Sequence, residues 1–113
     1  MILFADSVRL VDDGSQYEGR LEVYYNGRWG TVCNNGWNDQ YASLVCAQLG
    51  FGLLGKLANF GAGSGNVFLE KVMCSQNDTL LASCGHYGVG ITPFCSHSKD
   101  VGVKCFGMTK LHS

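Results

Sequence analysis

The chain has 113 residues, a length typical of one small domain, and hydrophobic residues make up 46% of it, enough to form a core. Its net charge is −1 and it contains no basic run, which argues against nucleic-acid binding. No apolar stretch approaches the roughly 20 residues that a membrane-spanning helix needs. Composition therefore favours a folded domain that neither binds nucleic acid nor inserts directly into a bilayer.

The two ends of the chain differ from its centre. Residues 1–5 are apolar, but they are too few for the apolar part of a secretory signal, which needs about 7–15 residues behind a basic start. We interpret residues 1–7 as a linker or an added segment, and residues 107–113 as a linker or a tag. The predicted domain comprises residues 8–106.

Cysteines give the strongest indication of the chemistry. An even number in so short a chain is typical of a disulfide framework, but six cysteines allow 15 pairings and spacing cannot choose among them. A zinc site would contain closely spaced Cys pairs, which this sequence lacks, and a catalytic thiol would leave the other cysteines unexplained. We predict an oxidised, extracellular domain whose disulfides are formed by Cys33, Cys46, Cys74, Cys84, Cys95 and Cys105.

The triplet Asn77-Asp78-Thr79 matches the acceptor pattern for N-glycosylation. Such triplets are frequent by chance, yet this one agrees with the extracellular location that the cysteines indicate. We predict Asn77 as the glycosylation site, and an attached glycan would require that the surrounding loop be exposed to solvent.

The first third of the chain is typical of β-structure. Alternating apolar residues predict strands at Val8–Val11 and Arg20–Tyr25. Asn26-Gly27 is a strong hairpin signal that favours a type I′ turn, so we expect Arg28–Cys33 to return as the next strand. This part of the chain should therefore form a small antiparallel sheet.

One helix is predicted with both of its ends. Apolar residues at helical spacing cover Asp39–Leu49. Asn38 is a suitable N-cap because its side-chain oxygen can accept a free backbone N–H, and Gly50 suits the residue after the last turn. Because Cys46 lies inside this helix, a disulfide would attach the helix to another element.

The remaining chain is expected to contain short elements separated by loops. A short helix is an option near Leu53–Asn59, and Asn66–Val72 is predicted to be a strand. The segment from Gly85 to Thr92 is interpreted as a loop, and Asp100–Cys105 as the final strand. The resulting fold class is α+β.

Ordered motifs from about Val8 to Cys105 resemble a scavenger receptor cysteine-rich domain. The match covers nearly the whole chain and includes several segments in the family's order. They are Gly19-Arg20-Leu21-Glu22-Val23, Trp29-Gly30-Thr31-Val32-Cys33, Val45-Cys46-Ala47-Gln48-Leu49-Gly50, Gly61-Ala62-Gly63-Ser64-Gly65, Cys95-Ser96-His97 and Asp100-Val101-Gly102-Val103-Lys104-Cys105.

The resemblance implies a specific subgroup and disulfide pattern. Where group B of the family has an extra cysteine pair, this chain has Tyr17 and Phe51, so it is similar to the six-cysteine group A. The family pattern implies a small disulfide-stapled domain in which a curved antiparallel sheet cradles one main helix. It implies the disulfides Cys33–Cys95, Cys46–Cys105 and Cys74–Cys84.

Two cation sites of the family are altered here. At the first, which usually holds calcium with acidic residues, the matching positions carry Asn34, Asn35 and Lys99. Calcium prefers several anionic oxygens, which two amides and an ammonium group cannot supply. At the second, the matching positions carry Tyr41, Glu70, Lys71 and Asn77. We therefore predict that high-affinity calcium binding is lost, and that the domain uses no metal or other cofactor.

Several residues have both a functional and a structural interpretation. Lys71 and Lys99 could adapt the surface to anionic partners or could simply be solvated. The segment from Leu21 to Trp29 resembles the bacteria-binding segment of salivary agglutinin, but its alternation favours packing, and we also favour the core for Trp37. Ser96, His97 and Asp100 could suggest a hydrolase, but adjacent residues of an extended segment point to opposite faces.

The leading hypothesis is therefore a non-catalytic module that recognises a protein, polyanionic or microbial surface ligand through exposed loops. The alternatives are an accessory domain of a secreted serine protease or lysyl oxidase-like enzyme, and a structural spacer in a repeat array. The predicted contact residues are Asn34, Asn35, Lys71, Asn77, Asp78, Lys99 and Asp100.

Overall fold

The computed structural model describes residues 8–12, 15–25, 27–87 and 95–106, and every structural statement below concerns these residues. The two segments interpreted as linkers lie outside them, so the domain boundaries stay a prediction. The elements are β1 (Val8–Val11), β2 (Glu18–Tyr25), β3 (Arg28–Val32), α1 (Asp39–Leu49), β4 (Leu54–Ala58), β5 (Val67–Met73), β6 (Gly85–Tyr87) and β7 (Gly102–Phe106), with short 3₁₀ helices at Leu81–Ser83 and His97–Lys99.

The strands form one sheet in the order β4-β7-β2-β3-β5-β6, with β1 paired to β2. Most neighbouring strands are antiparallel, as the resemblance implied, but β3 and β5 run parallel. A parallel pair needs a long crossover, and here α1 and β4 lie in the connection. The fold class is α+β as predicted, with a mixed rather than wholly antiparallel sheet.

The β2–β3 hairpin and α1 follow local sequence rules. Gly27 has φ of 82°, which the predicted turn requires, while Asn26 lies outside the described residues. The Asn38 side chain accepts a hydrogen bond from the N–H of Tyr41 at 3.1 Å. Gly50, at φ of 77°, donates its N–H to the carbonyl of Ala47. Both predicted ends of the helix are confirmed.

Two predictions about the second half were wrong. The segment offered as a short helix contains β4, and the loop predicted to begin at Gly85 begins with β6. β4 is extended because it pairs along its whole length with β7. Gly55 allows β4 to lie against α1, since a Cβ there would be 2.6 Å from the carbonyl oxygen of Ala42. Tertiary pairing therefore overrides local preference in this segment.

The hydrophobic core lies between the sheet and α1. Valine and leucine side chains from β2, β3, α1 and β7 are fully buried, and Trp37 is only 8% exposed, which confirms its assignment to the core. Trp37 packs edge-on against Tyr41, with ring centroids 5.7 Å apart. The residues with 0% exposure are Leu21, Val23, Thr31, Val32, Ala42, Val45, Cys46 and Val103.

Candidate recognition surface

Three disulfides hold the elements together. They join Cys33 to Cys95, Cys46 to Cys105, and Cys74 to Cys84, which is the pattern that the resemblance implied. The second attaches α1 to β7, and the third closes the turn that follows β5. The loops of the domain are therefore displayed on a covalently cross-linked frame.

Tyr17 and Phe51 lie against each other. Their ring centroids are 5.1 Å apart at an interplanar angle of 85°, an edge-to-face contact. These are the positions where the resemblance places the extra cysteine pair of group B. An aromatic contact here joins the same two segments without a covalent bond.

Asn34 and Lys99 are brought together by the backbone. The N–H of Asn34 donates to the carbonyl of Lys99 at 2.7 Å, next to a bridge between Cys33 and Asp100. Asn34, Asn35 and Lys99 are all exposed. We call these three residues the amide–lysine patch. It borders an open depression of about 230 Å³ that Asn34, Ser98 and Asp100 help to line.

Asp100 is the predicted contact residue with an internal role. Its carboxylate is fully buried and accepts hydrogen bonds from the N–H of Gly63 at 2.7 Å and from Nδ1 of His97 at 2.9 Å. A ligand could reach it only if these contacts broke. We therefore leave Asp100 out of the proposed contact set.

His97 connects three parts of the chain. Its Nδ1 faces Asp100 and lies 3.3 Å from Oγ1 of Thr31, and its Nε2 lies 2.9 Å from the carbonyl oxygen of Gly65. The hydrogen bond to the Gly65 carbonyl, helped by the Asp100 carboxylate, raises the pKa of His97 despite partial burial and the nearby charge of Arg20. Both ring nitrogens are thus engaged in structural contacts.

The arrangement of Ser96 does not support a hydrolase. Its hydroxyl contacts the hydroxyl of Ser98 at 2.7 Å, whereas a catalytic serine would be hydrogen-bonded to the histidine. Within the described residues, His97 makes its side-chain contacts with Thr31, Asp100 and Gly65 instead.

The other predicted contact residues lie on β5 and in the turn after it. Lys71 is exposed and has φ of 51°, unusual for a residue other than glycine, where the pairing of β5 with β6 is irregular. Asn77 is exposed. Asp78 shapes the turn, because its carboxylate accepts the N–H of Ser75 at 2.8 Å. Asp78 also lines an open depression of about 220 Å³ beside Tyr41.

A calcium site needs several anionic oxygens. The described residues contain no group of three or more His, Cys, Asp or Glu side chains arranged to hold a metal ion. In the amide–lysine patch the available groups are two neutral amides and one ammonium, and an ammonium repels a cation. The loss of high-affinity calcium binding stays a prediction that solution experiments must test.

Several side chains in the segment from Leu21 to Trp29 pack within the sheet or against each other. Leu21 and Val23 are fully buried, and Trp29 is half-buried with Tyr24 against its edge at 5.2 Å. The guanidinium of Arg9 lies 4.0 Å from the centre of the Trp29 ring. The segment that resembles a bacteria-binding sequence is therefore mostly committed to the sheet.

Sequence reasoning missed one surface altogether. Lys56 on β4 is directly opposite Lys104 on β7, and Leu54 is opposite Phe106. The one hint in the sequence is the spacing of Leu54 and Lys56 in β4 and of Lys104 and Phe106 in β7. In each strand a lysine is two positions from an apolar residue. Since β4 was not expected to be a strand, that pattern could not be assigned to one face.

Comparison with known proteins agrees with this architecture. The family described as the scavenger receptor cysteine-rich domain matches residues 11–106. The chain belongs to this family. A scavenger receptor cysteine-rich domain superfamily protein of Patiria pectinifera is 43% identical over an alignment of 107 residues, which covers 92% of this chain but only 9% of that protein. The chain thus spans less than a tenth of the length of this relative.

Two solved structures are also similar. The third scavenger receptor cysteine-rich domain of murine neurotrypsin is 42% identical and has a TM-score of 0.74; the match covers 87% of this chain and 94% of that one. The same domain of mouse MARCO, solved in a dimeric form, is 38% identical with a TM-score of 0.71, covering 79% and 86%. These likenesses confirm a small disulfide-stapled domain with a curled sheet and one main helix.

Domains of this family are extracellular ligand-recognition modules and are typically non-catalytic. Within the part of the chain that the structure describes, none of the helices has the length and apolar character needed to cross a membrane.

Proposed function

We propose that this domain recognises a protein, polyanionic or microbial surface ligand through exposed loop residues, without a high-affinity calcium site. The observation that carries the proposal is the hydrogen bond between the backbones of Asn34 and Lys99. This bond supports the proposal because it brings the backbones of two exposed residues together, next to the disulfide of Cys33, and Asn35 beside them is exposed too. The further contact residues are Lys71, Asn77 and Asp78.

Charge supports an anionic partner. Lys99 is exposed, and the side-chain ion pairs of Arg9, Arg20 and His97 in the described part of the chain do not involve it. The acid next to Lys99 in the sequence is turned inward, because the side chain of Asp100 is fully buried and accepts the N–H of Gly63. Complementary charge mainly increases association rate and selectivity, so the patch should favour acidic ligands.

Charge reversal tests this surface. We expect Lys99→Glu to weaken binding to an acidic ligand by about tenfold, a loss of about 1.4 kcal/mol, in assays on bacteria, heparin and matrix proteins. Arg28→Glu is the matched control, because Arg28 is also exposed and its reversal changes the net charge equally. Unchanged binding by the Lys99 variant, or an equal loss in the control, would contradict the proposal.

Melting temperature and ligand binding with and without calcium test whether the domain lacks a high-affinity calcium site. We expect the same melting temperature and the same ligand binding in millimolar calcium and in chelator, since the amide–lysine patch lacks carboxylates. A calcium-dependent rise in melting temperature that chelator reverses would show that a site exists.

We also propose that Asn77 carries an N-linked glycan when the protein is secreted. Asn77 and Thr79 are both exposed in the turn after β5. When the glycan is attached it would shield Asn77 and Asp78, and contact would then depend on the amide–lysine patch. Glycosidase treatment should reduce the mass of the secreted protein, and Asn77→Gln should abolish that change. Identical masses before and after treatment would exclude the glycan.

A second candidate function is that of an accessory or spacer domain in a longer protein. It is favoured by the similarity to the third such domain of murine neurotrypsin, which shows that these domains recur within one chain. It is also favoured by the small fraction of the Patiria pectinifera relative that this chain spans. The full-length reading frame distinguishes the candidates, because a neighbouring enzyme domain would support the accessory role.

A further inference from the structure

The outward face of β4 and β7 carries an unusual combination of side chains. In this antiparallel pair Leu54 is opposite Phe106, and Lys56 is opposite Lys104. Residues directly opposite each other project from the same face of a sheet. Gly55, between Leu54 and Lys56, faces α1, because a Cβ there would be 2.7 Å from the sulfur of Cys46. The two lysines and their apolar neighbours therefore project away from α1.

The apolar members of this face are well exposed. Leu54 is 63% exposed and Phe106 44%; the other large exposed hydrophobic residues among the described ones are Leu53, just before β4, and Met73. Scattered single cases need no explanation, but neighbouring apolar side chains often mark an interaction site. Leu54 and Phe106 lie directly opposite each other at one end of the β4–β7 pair.

The lysines add a cost to this arrangement. Like charges directly opposite each other on neighbouring strands are destabilising. Lys104 has Glu18 of β2 on its other side, but β4 is the edge strand among the described residues, so there Lys56 has only Lys104 as a cross-strand neighbour. A partner with carboxylates would relieve this repulsion and cover the adjacent apolar side chains.

We propose that Leu54, Lys56, Lys104 and Phe106 form a second docking surface, for an acidic protein segment that has apolar side chains beside its carboxylates. We call these four residues the β4–β7 surface. The proposal rests on the recognition role proposed above, but it places a protein contact on the sheet rather than on the loops.

The positive charge of this surface and its small number of lysines favour an acidic protein segment over a polyanion or a membrane. An anionic membrane attracts a basic segment by about 1 kcal/mol per Lys or Arg, so two lysines give weak binding. A long polyanion is bound mainly by many cations, and it offers little apolar surface to cover Leu54 and Phe106. A protein segment supplies both kinds of group.

The edge of β4 indicates how the segment docks. Ser43 of α1 bonds to both the N–H and the carbonyl of Gly55, and Asp39 accepts the N–H of Leu57. These side chains already occupy the backbone groups that an added strand would use. The partner should therefore lie across the face. Alternate residues of a strand are about 7 Å apart, so an extended segment with carboxylates two residues from apolar side chains fits the pattern.

The test uses the oxidised, isotope-labelled 113-residue protein and two synthetic peptides, one alternating Leu with Glu and one alternating Leu with Lys. In NMR titrations, we expect the acidic peptide to shift the amides of Lys56, Lys104 and Phe106 saturably, and the basic peptide to leave them unchanged. Lys56→Glu with Lys104→Glu should weaken the acidic peptide at least tenfold, and the milder alanine pair should weaken it in the same direction.

Charge reversal of Lys71 and Lys99 is the matched double control and should leave this titration unchanged. Absence of shifts, equal shifts with both peptides, or equal losses in both double variants would overturn the proposal. It would also be overturned if heparin or phosphatidylserine vesicles, rather than the acidic peptide, caused the shifts, or if sedimentation showed that a second copy covers the surface. Failure here with a preserved Lys99 effect would leave the proposed loop-mediated function standing.

Discussion

Two disulfides of this domain stabilise very different regions. Cys46–Cys105 joins residues 59 positions apart and attaches α1 to β7 at the core. Cys74–Cys84 joins residues only 10 apart and closes the turn that carries Asn77. In the folded state the first lies against fully buried side chains, whereas the second borders an exposed turn. Covalent bonds of one type thus support a frame in one place and a loop in the other.

The difference in separation has an energetic consequence. A cross-link stabilises mainly by restricting the unfolded chain, and the effect grows slowly with the length of the closed loop. The Cys46–Cys105 disulfide therefore contributes more to global stability, while Cys74–Cys84 mainly defines a local conformation. This division suits a recognition domain, because the loop can change without loss of the frame.

The largest effect should come from removing the Cys46–Cys105 disulfide. We expect the double variant Cys46→Ala, Cys105→Ala to lose about 4 kcal/mol of unfolding free energy, the value that loop closure predicts for this separation. Lost packing of the buried Cys46 sulfur would add to it. Urea unfolding of the oxidised protein measures the change. A loss below about 2 kcal/mol would show that the unfolded chain is already restricted by other contacts.

Removing the short link should cost less and act locally. Loop closure predicts a loss of about 3 kcal/mol for Cys74→Ala, Cys84→Ala. We also expect faster amide hydrogen exchange in residues 75–83 than in α1, because only the turn loses its direct constraint. A variant that unfolds as readily as the Cys46, Cys105 pair, with uniform exchange, would contradict the division into frame and loop.

An element of the fold could be predicted from the sequence where neighbouring residues determine its conformation. The ends of α1 follow from Asn38 and Gly50, which act on neighbouring backbone groups. β4 was mistaken for a possible helix because its conformation depends on pairing with β7, which lies far away in the sequence. The disulfide pattern came from family resemblance, since spacing alone leaves many pairings open.

The recognition surface shows the same limit. Asp100 was predicted to contact a ligand, but its side chain is buried and accepts the N–H of Gly63, 37 residues away. Lys56 and Lys104 become neighbours only through the β4–β7 register, which no local pattern reveals. The proximity of Asn34 and Lys99 was anticipated from the resemblance rather than from the residues themselves. Long-range pairing therefore determines which polar groups share a surface.

Gln48 connects α1 to the segment closed by Cys74–Cys84, and its replacement should reduce stability by an intermediate amount. Its side-chain oxygen accepts the N–H of the buried Leu81 at 2.8 Å, so α1 holds the segment closed by Cys74–Cys84. Gln48→Ala would leave that N–H without this acceptor, at a cost of about 1–2 kcal/mol. Gln48→Glu retains an acceptor and should lose less. Equal losses in both variants, measured by urea unfolding, would assign the effect to packing instead.

The smallest effect concerns the region of Cys33–Cys95, where His97 adds a non-covalent connection. When protonated, its ring can donate to both the Gly65 carbonyl and the Asp100 carboxylate. The folded-state pKa is raised above the ordinary value of 6.5. The resulting stabilisation is complete below the unfolded pKa and is lost as pH rises through the folded one. Relative to His97→Gln, which does not titrate, the wild-type protein should therefore lose stability as the pH rises from below 6.5 through the raised folded-state pKa. Parallel pH profiles of the urea midpoints, or a wild-type advantage that grows with pH, would show that the imidazolium does not hold this junction.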